Sequence, residues 1–174
     1  MRLLAFIFLL ASSNLISQEI KRADSERSSI SYTGNHFLHK WSAENKNISG
    51  LIQIEDESIS NIGIVAKVSD FKSGNSSLDS NSLRVLDALQ FPNVIFKSTA
   101  VNQEDGQIIF EGLMNFHGIE KEFSILAEVT QLNEVTQLSG EFIVSLTDFL
   151  VERPSLLTRK IDDEINLEFN LYFK

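Results

Sequence analysis

Apolar and polar residues alternate along most of this chain after residue 28, the period-two pattern of strands that bury one face. Ile48, Gly50, Ile52 and Ile54 alternate with Ser49, Gln53 and Glu55, and Ile62, Ile64, Ala66 and Val68 with Asn61, Gly63 and Lys67. Shorter or longer runs follow at Val94, Phe96 and Ser98; at Ile108, Phe110, Gly112, Met114 and Phe116; and at Phe123, Ile125, Ala127 and Val129. Leu138, Gly140, Phe142, Val144 and Leu146 precede the clearest run, Ile165, Leu167, Phe169, Leu171 and Phe173, whose other face is Asn166, Glu168, Asn170 and Tyr172. With a first strand around residues 29–33, the pattern predicts about eight half-buried strands, the spacing of an antiparallel sandwich or barrel. One stretch breaks the alternation. Residues 80–90 carry Leu83, Val85, Leu86 and Leu89 at mixed three- and four-residue spacing. That predicts a short amphipathic helix capped by Asn81 or Ser82, stopped before Pro92, and preceded by the loop Ser73-Gly74-Asn75-Ser76-Ser77.

The first residues follow another logic. Met1-Arg2 leads into the apolar run 3–11 and then into small and polar residues. This is the order of a secretory signal peptide, and the run is too short to span a bilayer. Residues 1–17 are expected to be removed after Ser17, leaving one domain over residues 18–174 and a periplasmic or secreted product without an integral membrane segment. The whole chain of 174 residues carries 15 Lys and Arg against 24 Asp and Glu, a net charge of -9. Losing Arg2 with the leader makes the mature balance 14 minus 24, or -10. So acidic a surface repels phosphate backbones, which argues against a nucleic-acid partner. The absence of cysteine removes disulfides, thiolate metal sites, a Cys nucleophile and a lipidated N-terminal Cys.

Two blocks carry a family resemblance. The first is Ser73-Gly74-Asn75, Asp79-Ser80-Asn81 and then Phe91-Pro92-Asn93-Val94-Ile95-Phe96-Lys97-Ser98; the second is Glu111-Gly112-Leu113-Met114-Asn115-Phe116-His117-Gly118-Ile119-Glu120-Lys121. In this order and separation they resemble the YceI-like family of polyisoprenoid-binding proteins, over roughly residues 28–174. The resemblance implies an eight-stranded antiparallel, lipocalin-like β-barrel with one short α-helix between strands, exported, and holding an apolar chain inside. Homodimerisation accompanies some such resemblances. The segment His36-Phe37-Leu38-His39-Lys40-Trp41 departs from the family's smooth passage between its first two strands and is expected to reshape one mouth of the barrel.

An eight-stranded barrel is either filled by side chains or holds one small ligand. The inward positions expected to line such an interior are Ile52, Ile54 and Ile64; Phe96, Phe110, Met114 and Phe116; and Phe142, Leu146, Phe169 and Leu171. Phe123 and Phe173 belong to the same inward set. Aromatic residues at strand period form a solid core as readily as a tunnel wall. The small inward residues Gly50, Ala66, Ser98, Gly112, Ala127 and Gly140 leave space that favours a cavity. His36, His39 and His117 lack the spacing of a metal site. Asp148, Glu152, Asp162, Asp163 and Glu164 read as a solvated acidic loop around Pro154, not a catalytic pair. No nucleophile elbow, phosphate loop or dinucleotide fingerprint occurs. The expectation is a non-catalytic protein, without metal or cofactor, that holds an apolar lipid of isoprenoid type for transport or storage. The competing expectation is an envelope interaction module whose barrel is closed and filled.

Overall fold

The alternating runs form antiparallel strands. The computed structural model describes residues 18–104, 106–156 and 158–174; the expected leader, residues 1–17, lies outside them. The first half contains β1 (Gln18–Arg22), β2 (Ser29–His36), β3 (His39–Asn45), β4 (Ile48–Glu55) and β5 (Ser58–Lys67), followed by α1 (Ser76–Val85). The second half contains β6 (Asn93–Glu104), β7 (Gln107–Phe116), β8 (Ile119–Leu132) and β9 (Val135–Ser145). A small hairpin, β10 (Ser155–Leu156) and β11 (Arg159–Lys160), precedes β12 (Glu164–Phe173). Ten strands make one sheet in the order β1-β4-β5-β6-β7-β8-β9-β12-β2-β3.

The sheet is rolled. Arg22, paired with Leu51 on β4, also exchanges both backbone hydrogen bonds with Lys174 just past β12, at 2.9 and 3.0 Å. One short segment therefore touches strands far apart in the sheet order, which requires the sheet to curl back on itself into a barrel-like shell. Relative to the eight strands expected, the sheet gains two, β1 and β3, and the His36–Trp41 segment proves regular. His36 pairs with His39, so Phe37 and Leu38 are the tip of a plain β2–β3 hairpin. Neither element shows apolar alternation. In β1 Ile20 points outward, 56% exposed, while Lys21 is buried and donates to the Glu134 carbonyl at 2.6 Å.

The helix lies earlier than its apolar spacing predicts. Its N-cap is Asn75, whose side chain accepts from the Ser77 and Leu78 amides. The segment read as a loop thus begins the helix, since Asn and Ser favour caps by bonding nearby backbone. Leu86 ends it, Asp87 turns left-handed at φ 42°, and Leu89 is fully exposed beyond it.

Antiparallel connectivity gives the shell two different ends. The β4–β5, β6–β7 and β8–β9 turns and the end of β12 lie at one; α1, the β2–β3 and β7–β8 turns and the β9–β12 connection lie at the other. Toward the first end the interior is solid, with Ile52, Ile108, Leu138 and Phe173 completely buried.

Candidate functional site: an apolar cavity beneath the helix

Toward the second end the interior is hollow. A cavity of about 490 Å³ lies between the strands, α1 and the β9–β12 connection, within the range of about 300–1,000 Å³ usual for small-molecule sites. Strand alternation builds its wall. Consecutive inward positions of β12 contribute Ile165, Leu167, Phe169 and Leu171, and β7 contributes Phe110, Met114 and Phe116. Across the space stand Ile62, Ile64 and Ala66 of β5 and Ile30 and Tyr32 of β2. Aromatic rings set the shape of one side: Phe142 lies 6.2 Å from Phe169, centroid to centroid, and 6.2 Å from Phe123.

Of the expected lining residues, Ile64, Phe96, Phe110, Met114, Phe116, Phe142, Leu146, Phe169 and Leu171 stand on this wall. Ile52 and Ile54 do not. They run toward the β4–β5 turn at Asp56 and Glu57, where Ile52 is completely buried in the packed core and Ile54 packs against it. Of the small inward residues only Ala66 borders the cavity. At the others, neighbours occupy the space. A Cβ on Gly140 would sit 2.8 Å from Phe169 Cζ, one on Gly50 2.6 Å from Ile64 Cδ1, and one on Gly112 2.8 Å from Ser98 Cα. Ser98 itself accepts from the Ile62 amide at 2.9 Å and donates to Asn61 Oδ1 at 2.7 Å.

The roof is α1, which buries no residue yet presents Leu78, Leu83, Val85 and Leu86 to the cavity. Polar groups of the helix at this rim are tied down. Asp79 accepts from the Ser73 amide and hydroxyl, at 2.9 and 2.5 Å, and those bonds hold its carboxyl below its ordinary range. Ser82 meets the Tyr32 hydroxyl at 3.5 Å, and burial pushes the Tyr32 phenol up. The side of the cavity is Val151, Pro154, Ser155 and Ile161. Asp163 anchors this connection: burial pushes its carboxyl up, but hydrogen bonds from Thr147 and Ser145 outweigh that and hold it low. His36, His39 and Trp41 complete the mouth, where the sequence places their segment without saying which of its side chains line the cavity. Their strand carries no apolar alternation, so no signal marked which side chains face inward. His117 is apart from them, in the left-handed His117-Gly118 turn (φ 52° and 74°), donating through Nδ1 to the Phe149 carbonyl at 3.0 Å. Such a turn matches the twist of its strands, and its positive φ values explain the His-Gly pair without chemistry. Among the described residues no helix is long and apolar enough to cross a membrane.

Comparison with solved structures shows the same architecture. The crystal structure of BcnA from Burkholderia cenocepacia superposes with a TM-score of 0.78 at 17% identity, covering 86% of this chain and 98% of that one. A polyisoprenoid-binding domain from Saccharophagus degradans, implicated in plant cell wall breakdown, gives 0.73 at 12% identity, covering 88% and 97%. The YceI protein of Campylobacter jejuni gives 0.65 at 17% identity, covering 74% and 81%. No curated protein matches the sequence. At such identities the structures speak for the fold alone. The sequence profile of the YceI-like domain, however, matches residues 22–173, nearly the whole rolled sheet and its helix, and the chain therefore belongs to the YceI-like domain family.

Proposed function

We propose that this protein is an exported, non-catalytic carrier that holds one apolar lipid of isoprenoid type for transport or storage, with residues 1–17 as its cleaved leader. The observation that carries the reading is the cavity of about 490 Å³ with a predominantly apolar wall. Burying hydrocarbon there contributes about 0.8 kcal/mol per CH₂, so each five-carbon unit is worth roughly 4 kcal/mol before ordering costs. No ion pair is needed for affinity. Three titratable groups at or near this end make structural bonds: Asp79 with Ser73, Asp163 with Ser145 and Thr147, His117 with Phe149. The polyisoprenoid-binding domain among the structural neighbours supports an apolar chain as the ligand class.

The test is to purify the protein from its native host, extract it with organic solvent and weigh the extract by mass spectrometry. A stoichiometric apolar lipid is expected, and N-terminal sequencing should start at Gln18. Repeated preparations without lipid, together with no uptake of a fluorescent apolar probe, would overturn the carrier reading.

A further inference from the structure

We propose that the mouth of the cavity contains a hydrogen-bonding subsite at His36, and that the preferred ligand is an apolar chain ending in a hydrogen-bond donor, in its simplest form a long-chain isoprenoid alcohol. This rests on the carrier reading and adds which end of the chain is recognised and what that end must carry.

His36 is the last residue of β2, only 6% exposed, and its ring borders the cavity. Its Nε2 lies 3.4 Å from the Arg159 carbonyl on β11. A carbonyl can only accept, so on a singly protonated ring Nε2 carries the hydrogen and Nδ1 is left with a lone pair. That Nδ1 is buried and has no hydrogen-bond partner among the described residues. Buried acceptors are nearly always satisfied, by protein, water or ligand, because leaving one bare forfeits its hydration.

Of the other polar groups of the cavity, Tyr32 is engaged with Ser82 and Asp79 with Ser73, while His39, Asn81, Arg84 and Ser155 are exposed. The His36 ring has two aromatic neighbours, Phe37 at 4.4 Å and His39 at 6.0 Å between centroids. Phe37 is 53% exposed at the hairpin tip and lies outside the packed core, with the Arg159 guanidinium 5.0 Å over its ring, so a ligand end that reaches Nδ1 displaces side chains of the rim and not of the core. A ligand hydroxyl placed there donates to Nδ1 while the chain lies along the Phe and Ile wall. A hydrocarbon end or an ether oxygen, which has no hydrogen to donate, leaves the acceptor bare.

The test compares geranylgeraniol with its methyl ether, by displacement of a fluorescent apolar probe from the wild-type protein, from His36→Phe and from His36→Asn. The asparagine keeps an acceptor near the Nδ1 position. The wild type should bind the alcohol about tenfold more tightly than the ether, the worth of one net hydrogen bond to a buried acceptor. His36→Phe should lose the preference and keep ether affinity, and His36→Asn should retain part of it. Equal affinities of the wild type for both probes would overturn the subsite and leave the carrier reading standing, with no need for a folded variant. A preference undiminished in His36→Phe would also overturn it. Binding of neither probe would overturn the carrier reading and the subsite with it.

Discussion

Phe169 rests on Gly140, and the pair shows how single residues divide the interior into wall and filling. A methyl at position 140 would meet Phe169 Cζ at 2.8 Å and the Leu126 carbonyl oxygen at 2.6 Å. The carbonyl cannot retreat without breaking the sheet, so the ring must move toward the cavity. Gly140→Ala should destabilise by about 1–3 kcal/mol, as overpacking does, measured by urea unfolding, and should weaken lipid uptake. Truncating filling and wall should differ in the same assay. Phe173 is completely buried, and Phe173→Ala should cost about 3–5 kcal/mol. Phe142 already borders empty space, so Phe142→Ala gives up fewer contacts and should cost clearly less. Equal costs would mean that the cavity wall is packed as tightly as the core. At this scale the sequence was half legible. Period-two alternation separates inside from outside, which is why Phe96, Phe110, Phe142 and Phe169 were found. It carries no information about which end of the shell a residue occupies, so Ile52 and Ile54 were grouped with them. Nor does alternation reveal an orphaned acceptor such as His36 Nδ1, which exists only once β2 and β11 are side by side.

α1 is anchored from its surface and not from a buried face. It roofs the cavity without burying a residue and is held by its Asn75 cap, the Tyr32–Ser82 contact and the bonds from Ser73 to Asp79. Those bonds depress the Asp79 carboxyl from its ordinary value of 3.8. A depressed carboxyl stabilises the folded state fully above its unfolded value, and the contribution is lost as pH falls through the folded value. The roof should therefore loosen only below about pH 3.8, the window set by that direction of shift. Amide hydrogen exchange across α1, followed downward from pH 6 and referred to intrinsic rates, should show full wild-type protection down to about pH 3.8 and its loss only as pH falls further, through the lowered folded value. In Asp79→Asn protection should already be low at pH 6. An undiminished roof in that variant would show that the apolar contacts of Leu78, Leu83, Val85 and Leu86 suffice. The helix was readable from those leucines, but its start was not. Apolar spacing marks a buried stripe, whereas the start is set by Asn75 and Asp79, which sit in a Ser- and Gly-rich stretch that looks like a loop. Strands β1 and β3 were hidden for a related reason. Their places come from backbone pairing to β4 and β2, while their side chains are mostly polar.

As a whole, the molecule is a shell that solid packing and a backbone seam close at one end, and that an exposed hairpin tip and a helix bound at the other. At the seam Arg22 and Lys174 exchange backbone bonds, and Lys174 Nζ reaches Asp24 at 2.8 Å, the leading cause of that carboxyl's lowered pKa. The seam and the solid end need no ligand, whereas the hollow end lacks the contacts that filling it would supply. A ligand that binds only the folded shell stabilises it by mass action, about 2.7 kcal/mol at a free concentration of one hundred times Kd. For a domain of this size that is roughly 5–10 °C in Tm, which differential scanning calorimetry with geranylgeraniol can read. The source of affinity fixes a second feature of the shift. The cavity wall is apolar, and its principal rim carboxylate, Asp79, is already bonded internally, so binding should use burial and no net charge. Raising the salt from about 0.05 to 0.5 M shortens the screening length severalfold and should leave the increment in Tm unchanged. A shift that collapses with salt would place the ligand on the charged exterior of a protein of net charge -9, outside the cavity that the strands, the helix and the hairpin build.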